Sequence, residues 1–497
     1  MIAWLPELLF VNRAFASGRA LVCDDAGTIV KIVTLDALTD EKKINLPRRA
    51  LLPGMVNAHS HAFQRVLRGR TEYRTSDQRD SFWTWREMMY SAATRLSPED
   101  VYDASRMAFL EMALSGITSV GEFHYLHHAP DGRPYDDPNL LAKEVIRAAN
   151  DLGLRIALLR VAYARSGFQV EANPRQLRFI EDSETYLQNL ESLIWNLGKN
   201  AERERPTDFN SEGALTDRPT PAGLPDRGAR GRASDTAWVG VAPHSVRAVP
   251  LEYLSSVINY ANEHGLKTHM HVAEQPAEVS ACVEEYRRTP TALLESEGLL
   301  GRDFTAVHAI HVTPKAIAAF AKTGAMVCAC PTTERNLGDG VVPADGFQRN
   351  GTAICLGTDS QAQIDLLEDA RELEYHVRLQ KLERAVIGPG DPSNNPASDA
   401  ARYLFDCATI NGARSIDAPG GMLAVGKPAD FFTVDLDDPS IAGASQNDLL
   451  AAIVFTLSRA AVREVVVAGK PVVSEGRHLV QEEVVERFND LQKKLWG

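Results

Sequence analysis

The chain of 497 residues has no excess of basic charge, no paired-cysteine motif and no long uncharged apolar run. Each absence closes off a class of function. With 53 Lys and Arg against 66 Asp and Glu, the formal net charge is −13, which gives no electrostatic case for nucleic acid or an anionic membrane as partner. Nowhere do about 18 apolar residues follow one another without charge, and the opening MIAWLPELLFVNR has neither a basic leader nor a small-residue cleavage site. The expectation is a cytoplasmic protein that acts on a small molecule. The six cysteines (Cys23, Cys282, Cys328, Cys330, Cys355 and Cys407) include no C-x-x-C pair and suit buried, reduced thiols better than a disulfide frame. Cys328-Ala-Cys330 lies in the apolar run GAMVCACP and reads as core packing.

What is present is an alternation. Between residues 50 and 362, eight strand-length apolar segments alternate with helical patterns: LLPGMVNAHSH, GITSVGEFHY, LRIALLRVAY, WVGVAPHSV, LKTHMHVAE, FTAVHAIHV, GAMVCACPTT and TAICLGTDS. Nearly continuous apolar strands separated by helices imply a parallel sheet covered on both faces, and eight such units predict a closed α/β barrel of the (β/α)₈ type. Segments at both ends, such as ELLFVN and TIVKIVTL before the barrel and ADFFTVDL and VREVVVAGKPVVSEG after it, predict one small β-sandwich module built jointly by the two ends. The expected division is 1–50 and 416–480 for that module, 51–415 for the barrel and 481–497 for a C-terminal helix. Within the barrel, residues 199–237 are rich in Pro, Gly and charge, and are expected to form a mobile surface insertion before the fourth strand.

Polar residues gather where the strands end. His59 and His61 in NAHSHAFQ are separated by one residue, and alternate residues of a strand point to one side, so both imidazoles project together. A catalytic zinc takes nitrogen and oxygen ligands and keeps a position for water. His271 can supply a third ligand and Asp359 of LGTDS a fourth; a buried carboxylate at the last strand is costly without a cation beside it. The fourth strand end, VAPHSV, has no lysine to bridge two metals, so one divalent metal per chain is expected. Thr268-His269-Met270-His271 repeats the His-x-His spacing. His269 would lie one layer deeper in the barrel and reads as an interior histidine, whereas His271 is followed by Glu274, which can lean over the site as an acid.

The stretches PGMVNAHSHAFQ, HVAEQ, VHAIH and GTDS resemble the metal-dependent amidohydrolase superfamily over nearly the whole chain. DSFWTWREMMY, EFHYLHHAPDG, APHSVRAV and CPTTERNLGDG are similar, more narrowly, to its formiminoglutamate deiminase family. The resemblance implies hydrolytic deamination of N-formimino-L-glutamate to N-formyl-L-glutamate and ammonia in histidine degradation, by a homodimer. It implies Zn²⁺ at His59, His61, His271 and Asp359, catalysis by Glu274, His308 and Asp359, and a substrate pocket lined by Gln64, Arg86, Tyr125, His244 and Arg247. His311, in the same VHAIH, reads as a structural neighbour of His308. Two carboxylates on the substrate give the arginines their reason, since a planar guanidinium holds a carboxylate through paired hydrogen bonds. Arg86 is expected in a loop after the first strand, packed by Phe82, Trp83 and Trp85. The alternatives are an amidohydrolase acting on a purine, pterin or triazine ring, which would want an aromatic slot more than two arginines, and a non-catalytic metal-binding barrel. One departure stands out: Gly357-Thr358-Asp359-Ser360-Gln361, where the family commonly has Gly-Ser-Asp-Ser-His.

Overall fold

A computed structural model describes residues 1–73, 82–204, 236–388 and 396–497. Most of the 199–237 insertion lies outside the described residues; the helix before it, Ser183–Glu204, enters the segment. Eight parallel strands form the barrel: β1 (Met55–Ser60), β2 (Ile117–His124), β3 (Arg155–Ala162), β4 (Ala237–Pro243), β5 (Thr268–Val272), β6 (Phe304–His308), β7 (Met326–Ala329) and β8 (Ile354–Leu356). Every residue of all eight is buried, which is why their sequences run apolar without alternation.

Beyond β8 the chain meets β1. A parallel bridge joins Ser60 to Asp359, the Asp359 N–H donates to His59 O at 3.0 Å, and the His61 N–H donates to Asp359 O at 3.0 Å. Three ligand candidates are thereby held on one short run of backbone bonds. Gly357 makes this approach possible, because a Cβ there would lie 2.6 Å from the Cβ of His59 and 2.8 Å from its carbonyl oxygen.

The two ends of the chain join in a nine-stranded mixed sheet. Its central strand, Lys42–Pro53, pairs parallel with Ile2–Val11 and antiparallel with Phe431–Asp435. Leu51–Pro53, expected at the start of the first barrel strand, belong to this sheet, and Leu51 and Leu52 pair with Thr433 and Phe432. Gly54 is the crossing point, since a Cβ there would overlap the Thr118 side chain at 2.3 Å. The C-terminal helix Gln481–Trp496 lies against the helix Pro98–Leu114, with Arg106 bound through two bonds to Glu483 at 2.8 and 2.6 Å. All six cysteines are buried and unpaired. Among the described residues no helix is long and apolar enough to cross a membrane.

Candidate active site

His59 and His61 stand at the end of β1, His271 near the end of β5 and Asp359 just past β8. Their four ligand atoms all lie within 4.8 Å of one another, and all four residues are buried. Each imidazole is set up to ligate. The Nδ1 of His61 lies 2.9 Å from Phe123 O and that of His271 lies 3.1 Å from His244 O; a carbonyl can only accept, so both Nδ1 atoms carry the proton and both Nε2 atoms are bare. Burial pushes the His59 pKa down to about 3, so its ring is neutral as a ligand must be. Burial alone would raise Asp359, but the imidazoles of His59, His61 and His308 beside it hold its carboxyl well below the usual range. Its Oδ1 lies 3.4 Å from His59 Nε2 and 3.2 Å from His61 Nε2.

A divalent cation fits this set. Both ring nitrogens of His59 are buried without a hydrogen-bond partner, a costly state that a bound cation relieves. Three imidazoles and one carboxylate suit zinc chemistry.

His308 and Glu274, expected to carry protons, stand beside the cluster. His308 Nε2 is 3.6 Å from Glu274 Oε1 and 3.7 Å from Asp359 Oδ2. Burial pushes the His308 pKa down, but the carboxylates of Glu274, Glu334 and Asp359 outweigh it and raise it to about 10. The Glu274 pKa is also raised, chiefly by burial. The backbone here is bent into the left-handed region at Ala273, His308, Ala309, Asp359 and Gln361, with φ of 52, 68, 50, 48 and 61°. Such residues cost about 1–3 kcal/mol each and persist where the surroundings over-determine them.

A cleft of about 520 Å³ opens from the cluster, lined by Gln64, Arg86, Tyr125, His244, Arg247 and Glu274 together with Phe82, Trp85, Tyr90, Tyr163 and Phe179. Every substrate-pocket residue expected from the sequence is therefore in one cleft with the metal cluster. Arg86 is not in a loop. It sits on a helix, Phe82–Ala93, with its guanidinium 4.5 Å over the Trp83 ring and 5.6 Å from the Tyr90 ring. Phe82 and Trp85 face the cleft themselves. The buried Nε and Nη1 of Arg86 have no hydrogen-bond partner among the described residues. Arg247 Nη1 donates to Ser166 O at 3.1 Å, and Gln64 Nε2 donates to Tyr125 Oη at 2.8 Å.

His269 bonds Ser415 O at 3.1 Å and stays out of the metal cluster, as expected of an interior histidine. His311 Nε2 donates to Asp339 O at 2.9 Å, which anchors a loop rather than the reaction. The substituted Gln361 closes a buried lattice: Asn57 Nδ2 donates to Thr358 Oγ1 at 2.8 Å, Thr358 Oγ1 to Gln361 Oε1 at 2.9 Å, and Gln361 Nε2 to Ser60 Oγ at 2.8 Å. Threonine and glutamine thus act as a matched pair behind Asp359.

Three neighbours carry no expectation from the sequence, and a fourth, Cys330, sits in the core packing expected of it. Glu334 Oε1 accepts from His308 Nδ1 at 3.2 Å and from the Cys330 N–H at 2.9 Å, leaving Nε2 to face Glu274 and Asp359. Its signal was present in CPTTERN, which was read for resemblance and not for chemistry. Cys330, assigned to packing, is buried, yet its sulfur lies within 4.8 Å of ligand atoms of His308 and Asp359. Tyr163 directly follows β3, where the strand-end rule could have found it. Tyr90 is four residues after Arg86, a helical neighbour hidden by reading the segment as a loop.

A profile of the Amidohydrolase family matches residues 50–472. The chain is 37% identical over 440 residues to formimidoylglutamate deiminase of Pseudomonas aeruginosa, covering 88% of each chain. It is 26% identical over 483 residues to a 5-methylthioadenosine/S-adenosylhomocysteine deaminase of Pyrococcus abyssi, covering 97% of this chain and 96% of that one. Among solved structures, an amidohydrolase from Brucella melitensis superposes with TM-score 0.83 at 31% identity, covering 100% and 99%. A zinc-bound adenosine deaminase from Xanthomonas campestris shares the fold with TM-score 0.77 at 21% identity, covering 99% and 98%.

Proposed function

The chain belongs to the amidohydrolase family, and from the chemistry of its cleft we propose that it hydrolyses N-formimino-L-glutamate to N-formyl-L-glutamate and ammonia. The observation that carries the substrate is Arg86, whose Nε and Nη1 are buried and unpartnered in a cleft that Arg247 shares with the His/His/His/Asp cluster. Unpaired guanidinium donors in a partly desolvated cleft call for an anion. A dicarboxylate amidine supplies one at each end of its glutamate while presenting its formimino carbon to the cluster.

His59, His61, His271 and Asp359 would hold the metal, Zn²⁺ by the donor set and by the zinc of the Xanthomonas relative. When bound it supplies Lewis acidity that lowers the pKa of water to about 7. The remaining work falls to side chains. Water adds to the formimino carbon as its proton passes to Asp359 Oδ2, beside the cationic His308 imidazole. Glu274, in its acid form, protonates the departing nitrogen so that ammonia leaves, and the oxygen remains as the formyl carbonyl. Gln64, Tyr125 and His244 orient the amidine, and Arg86 and Arg247 hold the carboxylates. The same reading makes the protein a cytoplasmic homodimer of histidine degradation, and light scattering should then give a solution mass of two chains.

A second reading rests on the aromatic lining. Phe82, Trp85, Tyr90, Tyr125, Tyr163 and Phe179 could also sandwich a purine. Ammonia release from N-formimino-L-glutamate and from adenosine, at equal zinc-loaded enzyme, separates the two. The proposal expects the specificity constant to favour the dicarboxylate by at least about a hundredfold, the size of one good ion pair at about 3 kcal/mol. Equal or reversed rates overturn it.

A further inference from the structure

Gln176, buried on the turn Pro174–Phe179, does not itself line the cleft, but its carboxamide meets two of the cleft's tyrosines. Nε2 lies 2.8 Å from Tyr90 Oη and 2.7 Å from Tyr163 Oη. The orientation of the amide follows from its other neighbours. The Asn173 N–H, which can only donate, is 2.8 Å from Ser166 Oγ and 3.1 Å from Gln176 Oε1. Ser166 Oγ is thereby an acceptor for the backbone and gives its own proton to Gln176 Oε1. The amide oxygen is spoken for twice, so the NH₂ group faces the phenols and gives one hydrogen to each.

That arrangement dictates where the phenolic protons go. Each tyrosine oxygen already accepts from Gln176, so neither O–H can point back at it. The two oxygens are 3.5 Å apart, which lets at most one phenol donate weakly to the other. At least one O–H is therefore left free to turn toward the cleft that both rings line with Arg86 and Arg247. Burial raises the Tyr90 pKa, so that phenol keeps its proton as a donor. Ser166, bonded to Gln176, also reaches the second cation: Arg247 Nη1 donates to the carbonyl of Ser166 at 3.1 Å, and Arg165 Nε donates to Arg247 O at 3.0 Å.

Resting on the dicarboxylate reading above, we propose that Gln176 is a positioning residue that presets Tyr90 and Tyr163 as hydrogen-bond donors between the two arginines, and that this wall of donors selects a carboxylate over a carboxamide at that end of the substrate. A carboxylate is all acceptor and matches it. The NH₂ of an amide would face donors only and lose its hydrogen bonds on binding.

The test compares N-formimino-L-glutamate with its two monoamides. Gln176→Glu is nearly isosteric: one carboxylate oxygen still accepts from Asn173 and Ser166, while the other accepts from the phenols and turns their protons away from the cleft. The ratio of specificity constants, dicarboxylate over the discriminated monoamide, should fall at least tenfold, carried by KM of the dicarboxylate more than by kcat. Tyr90→Phe/Tyr163→Phe, with Gln176 intact, should lower the ratio to a similar extent, which keeps the inference open to test should the glutamate variant fold poorly. In the triple variant, Gln176→Glu should add less than twofold, because its action passes through the phenols. An undiminished effect of Gln176→Glu without the phenols overturns the inference in favour of direct charge repulsion, and an unchanged ratio in the tyrosine pair overturns it outright. Failure of the wild-type enzyme to release ammonia from the dicarboxylate is a different result: it sinks the functional reading itself.

Discussion

Two regions of this molecule bury charge, and they treat it oppositely. Along the outer side of the barrel, Arg155 reaches Asp430 at 2.7 and 3.1 Å, and Arg160 reaches Glu181 at 2.5 and 2.9 Å, in both cases with almost no solvent exposure. Asn139 and Asn189 complete the second pair, at 3.1 Å from Arg160 Nε and 2.7 Å from Glu181 Oε1. At the barrel mouth, by contrast, buried polar atoms stand without partners: both ring nitrogens of His59, Nε2 of His308, Nε and Nη1 of Arg86, Oε1 of Gln64 and of Glu278. An unsatisfied buried group costs about 1–3 kcal/mol, so a cluster of them is retained where something outside the chain satisfies them. Closed networks hold the fold together; open ones wait for metal and substrate.

The sharpest way to break that contrast is to empty the mouth. His61→Ala should lose the metal and lower activity by about 10⁴-fold or more, since Lewis-acid assistance worth several kcal/mol goes with it. Metal analysis after dialysis against chelator reads the first and ammonia release the second; full metal retention would remove His61 from the ligand set.

The outer pairs should answer in stability instead. Glu181→Gln leaves a buried guanidinium short of its carboxylate and should destabilise the protein by about 3–5 kcal/mol, seen in denaturant unfolding, with specific activity of the folded fraction close to wild type. Its pH dependence has a definite sign. Burial raises the Glu181 pKa, but His127 and Arg160 lower it further, from 4.5 to about 2 in the folded protein. The pair's contribution is therefore complete above about pH 4.5 and is lost as pH falls toward 2. Wild type should lose stability over that acid range and Glu181→Gln should lose less; parallel curves would show that the pair does not titrate with folding.

A smaller effect is expected at the substrate end of the mouth. Arg247→Met should lower the specificity constant for N-formimino-L-glutamate by about 30-fold, or about 2 kcal/mol, with zinc content unchanged. Normal turnover by this variant would shift the balance toward a purine in the aromatic slot.

The least effect belongs to the second His-x-His pair. His269 bonds Ser415 and lies outside the cluster, so His269→Asn should keep full metal content and change the rate less than about threefold. Loss of metal would mean that the deeper histidine supports the ligands after all.

That pair also marks how far the sequence could be read. His59-Ser60-His61 and His269-Met270-His271 carry the same local information, two imidazoles on one side of a strand. Strand ends separate them, because β1 stops at Ser60 and β5 at Val272, which leaves His59, His61 and His271 near the mouth and His269 below it. Reading Arg86 in a loop failed for a local reason: DSFWTWREMMY is rich in large aromatics, and its helical period was overlooked. Assigning Leu51–Pro53 to the barrel failed for a non-local one, because an apolar strand does not announce which of two sheets will pair with it.

The sequence by itself determined the alternation of buried parallel strands with helices, the joining of both chain ends in one outer sheet and the residue types of the metal cluster, because hydrophobic period, turn chemistry and ligand identity are written in neighbouring positions. Only the tertiary structure decided that Glu334 turns His308, that Thr358 and Gln361 lock together behind Asp359, and that Gln176 aims the protons of Tyr90 and Tyr163. Each depends on a hydrogen bond's length and direction between groups brought together by the barrel's closure. Such geometry exists only once the chain has folded.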